Sequence, residues 1–194
     1  MLPAIERPKK LPVVLSCREV KQLLKAPKLL KHRLVLALLY GCGLRCFELC
    51  NLQLKDLDFD RMMLHVRQGK GRKDRYVPLS RMQIRGLKTY LAAENPCTWC
   101  FTGNNTEGRP VPLSTQGVRW IVREARKHSG IQKEVTTHSL RHSYATHLLE
   151  MGLDIMSVKD LLGHADIQTT LTYLHVAQLG RQKPFSPLDR LYKE

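Results

Sequence analysis

The sequence predicts a mostly helical α+β domain with a small antiparallel three-stranded sheet. Apolar residues recur at helical spacing through most of the chain, and its length of 194 residues suits one well-buried core. Two short strand-like runs, 62–67 and 75–79, flank a turn of glycine, lysine, arginine and aspartate at 69–74, which is typical of a β-hairpin with a basic tip. A third short run, 98–102, is the candidate for the remaining strand.

The amino-terminal quarter is predicted to contain an arm followed by three helices. Residues 1–15 are basic and interrupted by three prolines, which favours a basic arm or an interdomain linker. Ser16, with Glu19 three residues later, fits a capping box that begins the first helix. The strongly apolar run 29–44 predicts a second helix, and residues 45–52 predict a short third one.

Helices also account for most of the remaining chain. Residues 81–93 show helical spacing at Ile84, Leu87 and Leu91. Beyond a polar loop, four further helices are predicted at 114–127, 139–151, 155–162 and 167–176. Glycines suited to helix ends and aspartates suited to N-caps separate the last three: Gly152, Asp154, Gly163 and Asp166. We therefore place one folded domain at 16–179 and a proline-interrupted tail at 180–194.

The charge balance indicates a polyanionic partner. Lys and Arg number 32 against 17 Asp and Glu, giving a net charge of +15 and a pI near 9.8. Nucleic acid is favoured, because cationic side chains that neutralise phosphates release condensed counterions. A membrane surface is the weaker alternative, since the basic residues are spread through structured segments and no apolar run approaches a membrane span. With no signal-peptide pattern, a cytoplasmic, nucleoid-associated location is expected.

The six cysteines favour buried thiols over a metal centre. Cys42, Cys46 and Cys50 recur every four residues, as small buried side chains along one helix would. Cys97 and Cys100 form a single C-x-x-C, which could begin a structural zinc site but lacks a second pair at ligand spacing. Ordinary reduced cysteines are therefore expected, and zinc is the alternative.

Five motifs occur in order along the chain. They are Gly-Leu-Arg-x-x-Glu at 43–48, Gly-Lys-Gly-x-Lys at 69–73, His-x-x-Arg at 138–141, Leu-Gly-His at 162–164, and Thr-Leu-Thr-Tyr-Leu-His at 170–175. Each alone is unremarkable in a basic helical protein, but their joint occurrence is hard to produce by chance. Together they resemble the active site of the tyrosine recombinases, the phage-integrase family, over about residues 11–176.

The resemblance implies a phosphate clamp and an acid. Arg45 and Arg141 match the two family arginines, and two guanidinium groups can hold one phosphate by paired hydrogen bonds while remaining charged. Glu48 is the carboxylate expected to orient a clamp residue. Lys70 matches the lysine of the family's hairpin and is assigned as general acid for the leaving 5′ oxygen, with Lys73 as the rival on the same turn.

The resemblance to the tyrosine recombinases also implies a nucleophile and two assisting histidines. Tyr173 is the nucleophile, and neighbouring positive charge is expected to favour its phenolate. His138 would accept the phenolic proton or bind the phosphate, and His164 would hold another phosphate oxygen or steady the nucleophile. His142 and His147 match no family role and are interpreted as structural or surface histidines. The product would be a 3′-phosphotyrosine and a free 5′ hydroxyl.

The implied function is site-specific recombination of double-stranded DNA, as integration, excision or resolution of mobile DNA. Arg72, Lys73 and Arg75 on the hairpin are the predicted DNA contacts. No metal, cofactor or small-molecule substrate is expected, because the phosphotyrosine conserves the energy of the broken bond. A homotetramer on synapsed DNA is expected, and exchange of the tail 180–194 between its subunits is part of this expectation.

Family members usually carry an additional amino-terminal domain that closes around DNA, and the chain starts too late to contain it. Weak, salt-dependent and largely non-specific binding is therefore expected. Two alternatives remain beside the recombinase. One is a recombinase-like DNA-binding protein that no longer cuts, and the other is a topoisomerase using the same chemistry without a defined site.

Overall fold

The computed structural model describes residues 12–67, 74–103, 109–174, 176 and 177. Over these ranges the chain forms eight α-helices. They are α1 (Cys17–Lys25), α2 (Leu30–Gly41), α3 (Cys46–Cys50), α4 (Arg81–Glu94), α5 (Thr115–Ser129), α6 (Thr137–Glu150), α7 (Ile155–Leu162) and α8 (Gln168–Leu171). A 3₁₀ turn at Leu54–Asp56 follows α3. The mostly helical α+β class predicted from the sequence is confirmed.

The strands form one antiparallel sheet of three and one ribbon of two. The sheet order is β1 (Leu57–Asp58), β2 (Met63–Val66) and β3 (Arg75–Pro78), and the ribbon pairs β4 (Thr102–Gly103) with β5 (Val111–Pro112). The predicted hairpin is therefore present, with Val66 opposite Arg75 at the end next to the turn.

The third strand of the sheet is β1, and its prediction at 98–102 is wrong. Within that run only Thr102 belongs to a strand, where it pairs with Pro112. Trp99 makes an isolated bridge to Gln53, and the N–H of Cys100 donates to the carbonyl of Leu52. The run is thus extended, but its hydrogen-bonding partners lie outside the three-stranded sheet.

The first helix begins where its capping box predicts. The Ser16 hydroxyl accepts from the N–H of Glu19 at 3.2 Å, and the Glu19 carboxylate accepts from the N–H of Ser16 at 2.7 Å. Further on, the predicted single helix through Cys42, Cys46 and Cys50 is wrong. Cys42 caps the end of α2, whereas Cys46 and Cys50 lie in α3, because Gly43 takes a left-handed backbone that interrupts the helix.

Helix α2 lies at the centre of the main core. It packs against α1, α4, α5 and α6, and its buried residues are Leu34, Val35, Leu36, Leu38 and Leu39. A second apolar cluster joins α6, α7 and the turn after α8 through Tyr144, Ala145, Leu149, Val158, Leu162 and Tyr173. The two clusters bring the end of α2, the start of α3, helix α6 and the end of α7 to one place.

Helix α6 is buried along most of its surface, including Ser139, Arg141 and Ser143. Burial of a polar side chain is costly unless it is hydrogen-bonded, which makes these residues candidates for a site. Over the described ranges, no helix combines the length and apolar composition that crossing a bilayer requires.

Candidate active site

The Glu48 carboxylate is the centre of a cluster of arginines. Arg45 is the N-cap of α3, and Glu48 occupies the third position of that helix. Its side chain turns back and accepts from the N–H of Arg45 at 2.8 Å and from Arg45 Nη1 at 2.9 Å. The acidic residue three places after the arginine therefore caps the start of the helix and also holds the guanidinium in position.

Arg75, on strand β3, donates hydrogen bonds to the same carboxylate. Its Nη1 and Nη2 donate to the two oxygens of Glu48 at 2.9 and 2.8 Å, and its Nε donates to the carbonyl of Leu161 at 2.8 Å. The side chain is only 7% exposed. We therefore revise the prediction that Arg75 contacts DNA, because its donors are directed into the protein. It ties the hairpin to α3 and to the end of α7.

Arg141 completes the cluster from helix α6. Its Nη1 lies 3.9 Å from the Glu48 carboxylate, and its guanidinium donates to the carbonyls of Gly43 and Leu162. Arg45 Nη1 also reaches the Leu162 carbonyl, at 3.5 Å. Burial and the neighbouring Arg45 lower the pKa of Arg141 to about 9, so it stays charged at neutral pH. The structure thus brings together the two arginines predicted as a clamp.

Gly43 has a left-handed backbone and no room for a side chain. Its φ is +59°, and an added Cβ would lie 2.4 Å from Cδ1 of Tyr144. The carbonyl of Gly43 is also an acceptor for Arg141. A side chain at Gly43 would therefore push against α6 and shift the carbonyl that holds the buried arginine.

Gly43→Ala is expected to destabilise the fold by about 2–4 kcal/mol, combining a left-handed backbone with a steric clash. Gly130→Ala is the matched control, since Gly130 has φ +74° but nothing within 4 Å of an added Cβ. It should cost about 1 kcal/mol. Urea unfolding followed by circular dichroism measures both changes. Equal losses in the two variants would show that contact with Tyr144 has no role.

The charge on Glu48 is strongly favoured in the folded chain. Burial acts to raise the pKa of its carboxyl, but hydrogen bonds and charge from Arg75, with help from Arg45 and Arg141, lower it to about 2. The ordinary value is 4.5. Because the folded-state pKa is depressed, the ionised carboxylate stabilises the fold above pH 4.5, and this contribution is lost as the pH falls toward 2.

We therefore expect about 3 kcal/mol of stability to disappear between pH about 4.5 and 2 on account of Glu48. Urea unfolding at a series of pH values measures the slope. Glu48→Gln should be less stable near neutrality and should show a shallower acid slope. Glu134→Gln, an exposed glutamate, serves as the control. Parallel slopes for wild type and Glu48→Gln would contradict the prediction.

Tyr173 is buried beside this cluster, with 3% of its surface exposed. Its hydroxyl lies 3.1 Å from Nδ1 of His142. The ring of His164 stacks on it at 6.2 Å between centroids and 19° between planes, and His164 Nδ1 lies 2.9 Å from the Thr170 hydroxyl. The structure therefore places His142, which the sequence left as a structural or surface residue, in contact with the predicted nucleophile.

Burial and the nearby arginines shift the pKa of Tyr173 in opposite directions. Burial raises the pKa of its phenol, while Arg141 and Arg45 lower it, and the net shift is upward. The predicted influence of positive charge is present, but burial outweighs it, so the phenol keeps its proton in this state. Burial, His138 and Arg141 lower the pKa of His142 to about 4. A neutral imidazole thus faces a protonated phenol at neutral pH.

His138 lies at the exposed start of helix α6, with its ring centroid 6.3 Å from that of His142. It also lines a recess with basic residues of α5, which are Arg119, Arg123 and Arg126. The remaining predicted residues of the hairpin tip, Lys70, Arg72 and Lys73, lie outside the described residues. Next to that tip, His65 Nε2 lies 3.0 Å from the Asp74 carboxylate, and the His65 ring stacks on Tyr76.

The alternative of a zinc centre finds little support in the described part of the chain. Cys97 is exposed and Cys100 is buried, and burial raises the pKa of the Cys100 thiol to about 12. Among the residues with described structure, no three His, Cys, Asp or Glu side chains form a group that could hold a metal ion.

Comparison with known proteins decides the family. A model of the phage integrase family matches residues 14–179. The chain belongs to the phage integrase family. It is 39% identical over 193 residues to a putative integrase/recombinase, y4qK, of Sinorhizobium fredii, covering 98% of this chain and 62% of the relative. It is 41% identical over 171 residues to the tyrosine recombinase XerA of Thermococcus onnurineus, covering 87% and 60%.

Solved structures of the family share the fold. The crystal structure of XerA recombinase matches with a TM-score of 0.78 and 35% identity, over 89% of this chain and 62% of that one. XerH recombinase in a post-cleavage complex with its palindromic difH substrate matches with a TM-score of 0.75 and 27% identity, over 87% and 51%. The chain therefore spans only about half to three fifths of the length of these family members.

Sequence reasoning missed the roles of Arg75 and His142, although signals for both were present. Arg75 lies two residues before the buried Val77 along β3, so strand periodicity places both side chains on the inner face. His142 follows His138 by four residues on α6, which places the two imidazoles on the same side of the helix. Arg75 therefore lay on a buried face, which indicated a partner inside the fold, and His142 lay on the same helix side as a histidine already assigned to the site.

Proposed function

We propose that this chain is the catalytic domain of a tyrosine recombinase that breaks and rejoins double-stranded DNA through a 3′-phosphotyrosine. The observation that carries the proposal is the burial of Tyr173 within the electrostatic reach of Arg45 and Arg141. Relatives named as tyrosine recombinases, and a XerH structure captured after cleavage of its DNA substrate, support it. We place the domain at 16–179, preceded by the arm 1–15.

The chemistry follows from the cluster. Arg45 and Arg141 would bind the non-bridging oxygens of the scissile phosphate, with their positions fixed by Glu48. The Tyr173 oxygen forms a bond to phosphorus as the bond from phosphorus to the 5′ oxygen breaks. Lys70 would give the leaving oxygen its proton. Since one phosphodiester replaces another, the step is nearly neutral in energy and needs no nucleotide cofactor, metal or small-molecule substrate.

The recess that contains His138 is the proposed path of the DNA backbone into the site. Arg119 and Arg123 are exposed on α5 and line this recess, as does the half-buried Arg126. Phosphate contacts of this kind position DNA without reading its sequence. Arg72 and Lys73 on the hairpin tip would extend the same contact.

Replacing both Arg119 and Arg123 with alanine is expected to weaken duplex binding at every sequence and to reduce the salt dependence by about two counterions. Fluorescence anisotropy at 50–200 mM salt measures both quantities. The matched control removes the same charge from α4 with Arg81→Ala and Arg85→Ala, which are exposed residues. An equal loss in the two double variants would mean that net charge alone controls binding.

Assembly and location are further parts of the proposal. We expect a homotetramer on two synapsed duplexes, with residues 180–194 exchanged between subunits through an apolar stripe: Phe185, Leu188, Leu191 and Tyr192. The tail lies outside the described residues. A protein that acts on DNA in this way would work in the cytoplasm, at the nucleoid.

A nicked suicide duplex made from the DNA that flanks the gene tests the function. When the strand is cut next to the nick, the short leaving fragment diffuses away and the protein stays covalently attached. The expected result is an adduct resistant to denaturant on a gel. Tight binding with no adduct would identify the silent DNA-binding alternative. Relaxation of supercoiled DNA without a preferred site would identify the topoisomerase alternative.

A further inference from the structure

The Tyr173 hydroxyl has a defined hydrogen-bond partner in this structure, His142 Nδ1 at 3.1 Å. His142 is half-buried on helix α6, one residue after the clamp arginine. Its ring and that of Tyr173 have centroids 5.5 Å apart, inclined at 50°. The other two histidines are placed differently, since His138 is exposed and His164 stacks on the face of the phenol.

The direction of this hydrogen bond depends on the tautomer of His142. The phenol keeps its proton because burial raises its pKa, and the imidazole is neutral because burial, His138 and Arg141 lower its pKa to about 4. A neutral imidazole with its proton on Nε2 presents a lone pair on Nδ1. In that tautomer the Tyr173 hydroxyl donates and His142 accepts.

We infer that His142, and not His138, takes the proton of Tyr173 when the phenol oxygen attacks the scissile phosphate. The inference rests on the proposed function and names the proton acceptor of the same site. His138, exposed at the mouth of the recess, is then available to bind a phosphate oxygen, the other of its two predicted roles.

The atoms balance as follows. The bond from the Tyr173 oxygen to phosphorus forms while the bond from phosphorus to the 5′ oxygen breaks. The phenolic proton moves to His142 Nδ1, and Lys70 protonates the departing 5′ oxygen. Rejoining runs the same transfers in reverse, so one imidazole serves both directions.

DNA would make His142 a stronger base than it is in the free protein. The groups that hold its pKa down are burial and, from its own helix, the neighbouring His138 and Arg141. From α8 and the turn that follows, it faces the neutral phenol of Tyr173. A scissile phosphate held by the arginine clamp adds negative charge at this point, which favours the imidazolium form. Proton transfer is thereby coupled to the arrival of substrate.

Rates of adduct formation on the nicked duplex test the inference with two variants. His142→Ala removes the acceptor, and His142→Asn keeps an oxygen near the position of Nδ1 but cannot take a proton at neutral pH. Both are expected to be slower than wild type by about 10²-fold or more, with DNA binding retained. Added imidazole should accelerate His142→Ala in proportion to the concentration of its free base. His128→Ala, an exposed histidine on α5, is the matched control.

A second substrate distinguishes a defect at the leaving group from a defect at the nucleophile. With sulfur in place of the bridging 5′ oxygen, the leaving group needs no proton, so Lys70→Ala should recover the wild-type rate. His142→Asn should stay slow, because its defect lies at the nucleophile. Recovery of His142→Asn by sulfur would overturn the inference, since it would place His142 at the leaving group.

The outcomes also distinguish this inference from the proposed function. Adduct formation by wild type and by His142→Asn at the same rate would overturn the role of His142 and leave recombination chemistry in place. Absence of any adduct with wild type would overturn the proposed function itself. Thermal melting of each variant identifies any that has lost its fold, and the chemical rescue by imidazole is measured on the folded His142→Ala protein.

Discussion

Tyr173→Phe is expected to abolish covalent attachment to DNA, by at least about 10⁴-fold, while leaving DNA binding intact. The substitution removes one oxygen and keeps the ring that packs with Tyr144, Leu149 and Leu162 in the second apolar cluster. The fold and the basic recess should therefore persist. Gel detection of the adduct on the nicked duplex, together with anisotropy on an intact duplex, measures the two effects.

Tyr76→Phe is the matched control for this substitution. Tyr76 is 56% exposed on strand β3, where its ring stacks on His65. Its loss of one hydroxyl should leave the adduct yield unchanged. If Tyr173→Phe formed as much adduct as wild type, Tyr173 would not be the nucleophile, and the proposed mechanism would fall with it.

Glu48→Ala is expected to destabilise the domain by about 3–5 kcal/mol, the range for removing one partner of a buried ion pair. The carboxylate is 5% exposed and holds Arg45, Arg75 and Arg141 within 4 Å. Without it, three guanidinium groups would face one another with no anion between them. The clamp would also lose its alignment, so adduct formation should fall even at temperatures where the variant remains folded.

Urea unfolding measures the stability loss, and Glu134→Ala, on an exposed glutamate, should lie within about 0.5 kcal/mol of wild type. Adding Arg75→Ala gives a double-mutant cycle. Because the pair is in direct contact, the double variant should lose less than the two single losses added together. A loss below about 1 kcal/mol for Glu48→Ala alone would show that the arginines are held by other contacts.

Arg75 shows why part of the site could be predicted and part could not. The sequence placed it correctly at the start of a strand after a basic turn, and the motif suggested a DNA contact there. The partner that redirects it inward, Glu48, lies 27 residues away on another element. Strand periodicity indicates which face Arg75 occupies, but only folding brings a carboxylate to that face.

The strand at 98–102 failed as a prediction for a related reason. An extended backbone can be read from composition, whereas the strand with which it pairs depends on the approach of distant segments. Here Cys100 bonds to Leu52, and Thr102 pairs with Pro112 across a loop. Leu57–Asp58 was the better-placed partner for β2, since only four residues separate the two strands.

The order of the motifs, the helix caps and the basic charge were determined by the sequence alone, because each depends on residues within a few positions of one another or on composition. Tertiary structure alone decided which groups share the site. Arg141 reaches the carbonyl of Gly43 across 98 residues, and His142 reaches Tyr173 across 31. Such contacts require the burial of apolar helices to offset the entropy of closing long loops, so no local pattern records them.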